Sequence, residues 1–159
     1  MREVILHHSL TKDGSVVDYT AIRNYHINTN GWRDIGYHYL LEKMPDGKPT
    51  ILKGRMENET GAHTLGHNEA IGICIVGNYD ITELPDDLYM LLVDLLDELN
   101  KNHNGIYVMG HNEYSDKSCP GKNFPLAILK SKYPRTRVET EILTKRELKD
   151  ILLNITKGL

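Results

Sequence analysis

Residues 70–76, Ala-Ile-Gly-Ile-Cys-Ile-Val, form an almost unbroken apolar run. Strand side chains alternate between two faces, so a strand of this composition belongs at the centre of a sheet, covered on both sides. A helix able to supply cover follows Pro85. Leu88, Leu91, Leu92, Leu95, Leu96 and Leu99 recur at i, i+3, i+4, i+7, i+8 and i+11, a single apolar stripe. Pro85 suits a first helical turn, and Asp86 and Asp87 favour the positive end of the helix dipole.

Val4–His7 reads as a short buried strand rich in apolar residues. A helix is predicted over 19–29, with Asp18 as N-cap, Gly31 as stop and Ile22, Tyr25 and Thr29 on one face. Residues 37–55 read as a hairpin around the turn Met-Pro-Asp-Gly-Lys-Pro-Thr, because Asp-Gly accepts positive φ and proline ends regular structure. Residues 105–110 form one more short strand. The order β-α-β-β-β-α-β predicts an α/β fold, a single domain with a central mixed β-sheet flanked by helices.

The 159 residues are enough for one domain with a real core. The domain is assigned to 1–134, and 135–159 to a linker and an added C-terminal helix. Thr144 and Glu147 make a capping-box pattern ahead of a stripe formed by Leu148, Ile151, Leu152 and Ile155. That stripe is expected to pack on the domain. The formal net charge of −3 gives no sign of a nucleic-acid partner. No apolar run approaches the roughly 18 residues of a membrane span, and the start lacks the roughly 7–15-residue apolar stretch of a signal peptide. Cys74 and Cys119 are the two cysteines. A disulfide between them is possible, but Cys74 reads as a free thiol buried in the central strand.

The segment most informative about chemistry is Gly110–Gly121, GHNEYSDKSCPG. It sets His111 and Cys119 eight residues apart in a loop after a strand. Imidazole and thiolate are good zinc ligands, but a catalytic zinc takes three protein ligands plus water. The third is available in Leu6-His7-His8-Ser9 at the end of the first strand. His7 and His8 point to opposite faces there, so only one can share a cleft with the other two. Taken singly, each of these residues has an ordinary structural use.

Five segments in register narrow the choice: LHHS, WRDIGYHYLL, GAHTLGHN, IGICIVGNYD and GHNEYSDKSCPG. Together, over about 3–125, they resemble the zinc-dependent N-acetylmuramoyl-L-alanine amidases of the phage-lysozyme type and the related peptidoglycan recognition proteins. The resemblance implies Zn²⁺ as cofactor, with His7, His111 and Cys119 as its ligands. It implies catalytic roles for Tyr37 and Lys117. It places His63 on the substrate groove. Trp32 is read as a groove-wall residue, because aromatic faces pack well on sugars and peptide backbone. Glu113 is either a carboxylate supporting a ligand histidine or, with Tyr37, a candidate to move a proton. His8, His26, His38, His67 and His103 are read as structural.

The expected activity is hydrolysis of the amide between N-acetylmuramic acid and L-alanine in bacterial peptidoglycan. Departures from it would be a binding module without turnover or a zinc domain with a closed structural site. The lysine at 117 and the start of the chain point to a monomeric phage or prophage endolysin. It would be made in the host cytoplasm and reach the wall through a holin. A cytoplasmic amidase that recycles wall fragments is the alternative.

Overall fold

The computed structural model describes residues 1–11 and 19–135. The Asp18 cap and the C-terminal helix expected over 144–157 lie outside the described residues. The strands are β1 (Arg2–His8), β2 (Tyr39–Lys43), β3 (Pro49–Lys53), β4 (Ile71–Ile75) and β5 (Ile106–Gly110). The helices are α1 (Tyr19–Asn28), α2 (Asp86–Asn102) and α3 (Leu126–Lys132), with one 3-10 turn at His111–Glu113.

The strands form a single sheet in the order β3-β2-β4-β1-β5. β1 runs parallel to β4 and to β5, β2 runs parallel to β4, and only the β2–β3 hairpin is antiparallel. The mixed sheet expected from the element order is therefore present, and β4, every residue of it buried, sits at its centre. The hairpin turns as Asp-Gly dictates. Gly47 has φ +81°, and Asp46 Oδ1 accepts the Lys48 N–H at 2.9 Å.

Two layers cover the sheet. On one face Val4, Leu6, Ile71, Ile73 and Ile75 pack with the α2 stripe, of which Leu88, Leu92, Leu95, Leu96 and Leu99 are buried. Each such leucine contributes roughly 1.5–3 kcal/mol relative to an exposed one. α3 adds Leu129 to the same core. α3 was not among the expected elements, although Leu126, Leu129 and Tyr133 at i, i+3 and i+7 after Pro125 carry a helical signal. On the other face a smaller cluster joins Ile35, Leu40 and Cys74 to Tyr19 and Ile22 of α1.

The inward face of α1 differs from the expected one. Tyr25 is 59% exposed, and the buried position is His26. The stripe is Tyr19, Ile22 and His26. His26 tolerates burial because its Nδ1 accepts the Gly36 N–H at 3.0 Å.

The outer strand β5 is not left open. Its Val108 N–H donates to the Tyr133 carbonyl at 3.0 Å, just past α3. At the other edge, β3 begins with Pro49 and lies between Lys48 and Lys53.

Candidate metal centre

Alternation along β1 decides between the two histidines. Val4 and Leu6 face the α2 core, so His8 lies on that side and His7 on the face of Cys74, its register partner in β4. β5 ends at Gly110 and delivers His111 in the turn that follows. The loop carrying Cys119 is clamped from below. Asn112 N–H donates to Cys119 O (2.6 Å), Lys122 N–H to Asp80 Oδ1 (2.9 Å) and Asn123 N–H to Tyr79 O (2.8 Å). Gly121, with φ +121°, lets this loop lie on Tyr79, whose backbone a Cβ there would meet at 2.5 Å.

One ligand atom from each of His7, His111 and Cys119 lies within 4.8 Å of the others. His7 Nδ1 is 3.7 Å from Cys119 Sγ, and the two imidazole centroids are 4.6 Å apart. Among the described residues no fourth His, Cys, Asp or Glu joins this group. Cys74 and Cys119 are both free thiols, so the disulfide does not form. Two neutral imidazoles and one sulfur, three protein ligands in all, match the donor set of a catalytic zinc.

Both ligand imidazoles are held neutral, with lone pairs free to coordinate. Burial, then the neighbouring His63 and His111, hold His7 well below the usual histidine range, so it stays neutral. Burial also lowers His111, helped by Lys117. Burial pushes the Cys119 thiol up to about 11, against the His8 backbone N–H, which reaches the sulfur at 3.4 Å, and the Lys117 charge. A metal that binds there must displace that proton.

Tyr37 is half-buried beside the cluster, its ring 5.2 Å from that of His7. Burial first, and then Cys74 and Cys119, raise it far above the usual tyrosine range, so its hydroxyl keeps its proton. Lys117 is exposed, with its charge felt at His7, His111 and Cys119. A cavity of about 310 Å³ adjoins Tyr37, lined also by Ser9, Thr11, Ile22, Tyr25 and His26.

The other expected site residues differ in their distance from this cluster. Trp32 packs on His26 at 4.7 Å between centroids and lies against Gly36, and it is not among the residues that line this cavity. His63 has both ring nitrogens engaged within the protein. Its Nδ1 meets His7 Nε2 at 3.1 Å and Thr64 Oγ1 at 3.0 Å, and its Nε2 meets Ala70 O at 3.1 Å. The Glu113 carboxylate is held by Lys130 of α3 at 2.8 Å. Thr64 and Asn68 belong to the same constellation and were not singled out from sequence; their signal was their place in the segment GAHTLGHN. His8, His26 and His38 each accept a backbone N–H, from Tyr79, Gly36 and Gly72 respectively, and His67 and His103 pair with Glu3 and Glu57.

Burial is the first cause of lowered basicity at six histidines: His7, His8, His26, His38, His63 (down to about 4) and His111. The unfolded chain binds protons at these positions near pH 6.5 while the folded chain does not. Stability is therefore full above about pH 6.5 and is lost as pH falls through the folded values. The melting temperature of the zinc-free protein is expected to drop steeply between pH 7 and pH 4.5. A flat profile in calorimetry across that window would contradict this account of the buried histidines.

Comparison with known proteins agrees with the geometry. Residues 1–122 match the family model described as N-acetylmuramoyl-L-alanine amidase. Peptidoglycan-recognition protein SC1a of Drosophila melanogaster is 34% identical over 105 residues, 64% of this chain and 55% of that protein. The chain thus spans about half the length of that relative. The human N-acetylmuramoyl-L-alanine amidase is 32% identical over 129 residues, 73% of this chain and 22% of that protein. Among solved structures, the endolysin amidase LysCS from Clostridium intestinale superposes with a TM-score of 0.72 at 31% identity, covering 82% of each chain. Bumblebee PGRP-SA gives a TM-score of 0.70 at 29% identity, covering 80% of this chain and 79% of that one. With the family model covering most of its length, this chain belongs to the N-acetylmuramoyl-L-alanine amidase family that also contains the peptidoglycan recognition proteins.

Proposed function

We propose that the chain is an active zinc amidase that cleaves the bond between the lactyl group of N-acetylmuramic acid and the first L-alanine of the peptidoglycan stem. The observation that carries this reading is the cluster of three, and only three, metal-ligating side chains among the described residues, His7, His111 and Cys119, flanked by Tyr37. A structural zinc site would be closed by a fourth protein ligand. Bound there, zinc would supply an activated water near neutral pH and polarise the scissile carbonyl.

The protein's own groups do the rest. Tyr37, kept protonated by burial, donates its O–H to the oxyanion that develops on the carbonyl oxygen. Lys117 adds an ammonium from the exposed rim of the same cluster. Water adds to the carbonyl carbon, the C–N bond breaks, and the leaving nitrogen takes a proton to become the free amine of L-alanine. Tyr37, a protonated hydroxyl whose ring lies 5.2 Å from that of His7, is our choice for delivering that proton; the Glu113 carboxylate is tied to Lys130.

Several relatives are named as recognition proteins, so binding without turnover is the competing reading. The retained Cys119, Tyr37 and Lys117 favour turnover. We further propose a phage or prophage endolysin, acting as a monomer on the wall after holin-type release from the host cytoplasm; the name of the clostridial structure supports this assignment. No helix among the described residues is long and apolar enough to cross a membrane.

Mass spectrometry of purified peptidoglycan digested by the protein tests the bond. Intact glycan strands together with stem peptides bearing a free L-alanine amine are the expected products. Wall binding without product would support the recognition reading, and cleaved glycan would overturn both.

A further inference from the structure

We propose that His63 is a positioning residue that fixes His7 in the tautomer able to ligate a metal through Nδ1. The proposal rests on the zinc reading of the site.

The argument begins at Ala70. Its carbonyl oxygen can only accept, and it lies 3.1 Å from His63 Nε2, so that nitrogen carries the proton. In neutral His63 the Nδ1 is then an acceptor. It lies 3.1 Å from His7 Nε2. Two lone pairs facing each other at that distance would repel, so His7 carries its proton on Nε2. Thr64 Oγ1, 3.3 Å from His7 Nε2 and 3.0 Å from His63 Nδ1, can accept from the first while donating to the second. His7 Nδ1 is left unprotonated on the side of Cys119 Sγ, 3.7 Å away. The other His7 tautomer would put an N–H where a metal must bind.

The surroundings hold His63 in this pose. Asn68 Oδ1 accepts the backbone N–H of His63 at 2.8 Å and of Thr64 at 2.9 Å. Gly61 and Gly72 form a slot for the ring. A Cβ at Gly72 would lie 2.4 Å from His63 Cδ2, and one at Gly61 would lie 2.5 Å from the same atom. A ligand histidine commonly has its second nitrogen held by a carboxylate or a carbonyl, and loss of such a partner typically costs about 10–100-fold in metal affinity. Here a second histidine relays the orientation of a backbone carbonyl.

Two measurements on the full chain test this. Long-range ¹H–¹⁵N spectra of the zinc-free protein should show both His7 and His63 as the Nε2–H tautomer; His7 as Nδ1–H overturns the proposal. Zinc affinity, read by chelator competition, should fall about 10–100-fold in His63→Leu. It should stay within about threefold of wild type in His63→Asn, whose side-chain oxygen can accept in place of Nδ1. Wild-type affinity in His63→Leu, or an equal loss in both variants, overturns it. A wild-type chain that takes up no zinc defeats the metal reading instead, and the spectra still decide the tautomer.

Discussion

Replacing Cys119 with serine is expected to abolish wall lysis, lowering the rate by at least about a thousandfold, because it removes the one thiolate ligand and with it the water-activating ion. The substitution changes little else. Cys119 is buried within a loop held by Asp80 and Tyr79 through backbone contacts that serine leaves in place. The melting temperature of the zinc-free variant should therefore stay near that of the zinc-free wild type. Zinc content by elemental analysis should fall from about one per chain toward zero, and extraction of zinc from the wild type with a strong chelator should reproduce the loss. The thiol titrates near 11 in the empty site, so zinc uptake should release a proton and weaken as pH falls. A serine variant that lyses walls at the wild-type rate would remove zinc from the mechanism.

Tyr37→Phe and Lys117→Ala are expected to lower kcat by about 10²–10³ each while moving KM little, since both groups act mainly on charge that develops in the transition state. Neither should lose zinc. Tyr37→Phe keeps the ring packed against His7, His26 and His63, and should hold zinc as the wild type does. Lys117→Ala should bind zinc no more weakly than the wild type, because the cation that eases loss of the Cys119 proton also repels the incoming dication. Steady-state kinetics on a soluble muropeptide, with zinc occupancy measured in parallel, separates these effects. Unchanged kcat in both variants would exclude them from the chemistry.

The parts of the fold that were legible in the sequence are those whose period is unambiguous. β4 and α2 announce themselves because a continuous apolar run and a six-leucine stripe each admit one reading. The face of α1 did not, because its buried member is a histidine satisfied by a backbone N–H ten residues away. Alternation said that His7 and His8 part company, but which one meets His111 depends on the side of β1 to which α2 packs, a fact of topology. The contacts of His63 were hidden for a related reason. They join residues 56 positions apart through ring nitrogens whose roles only coordinates can assign.

The two borders of the sheet have a consequence for what can lie against this protein. One border opens on a proline that has no N–H to offer and is bracketed by lysines, and the other already has a backbone donor spent on Tyr133. Among the described residues, each border is thus interrupted as a row of free peptide groups, the template on which extended chains add as extra strands. A second copy of the protein, or an extended peptide, must then be recognised by side chains and surface relief instead of by lengthening the sheet.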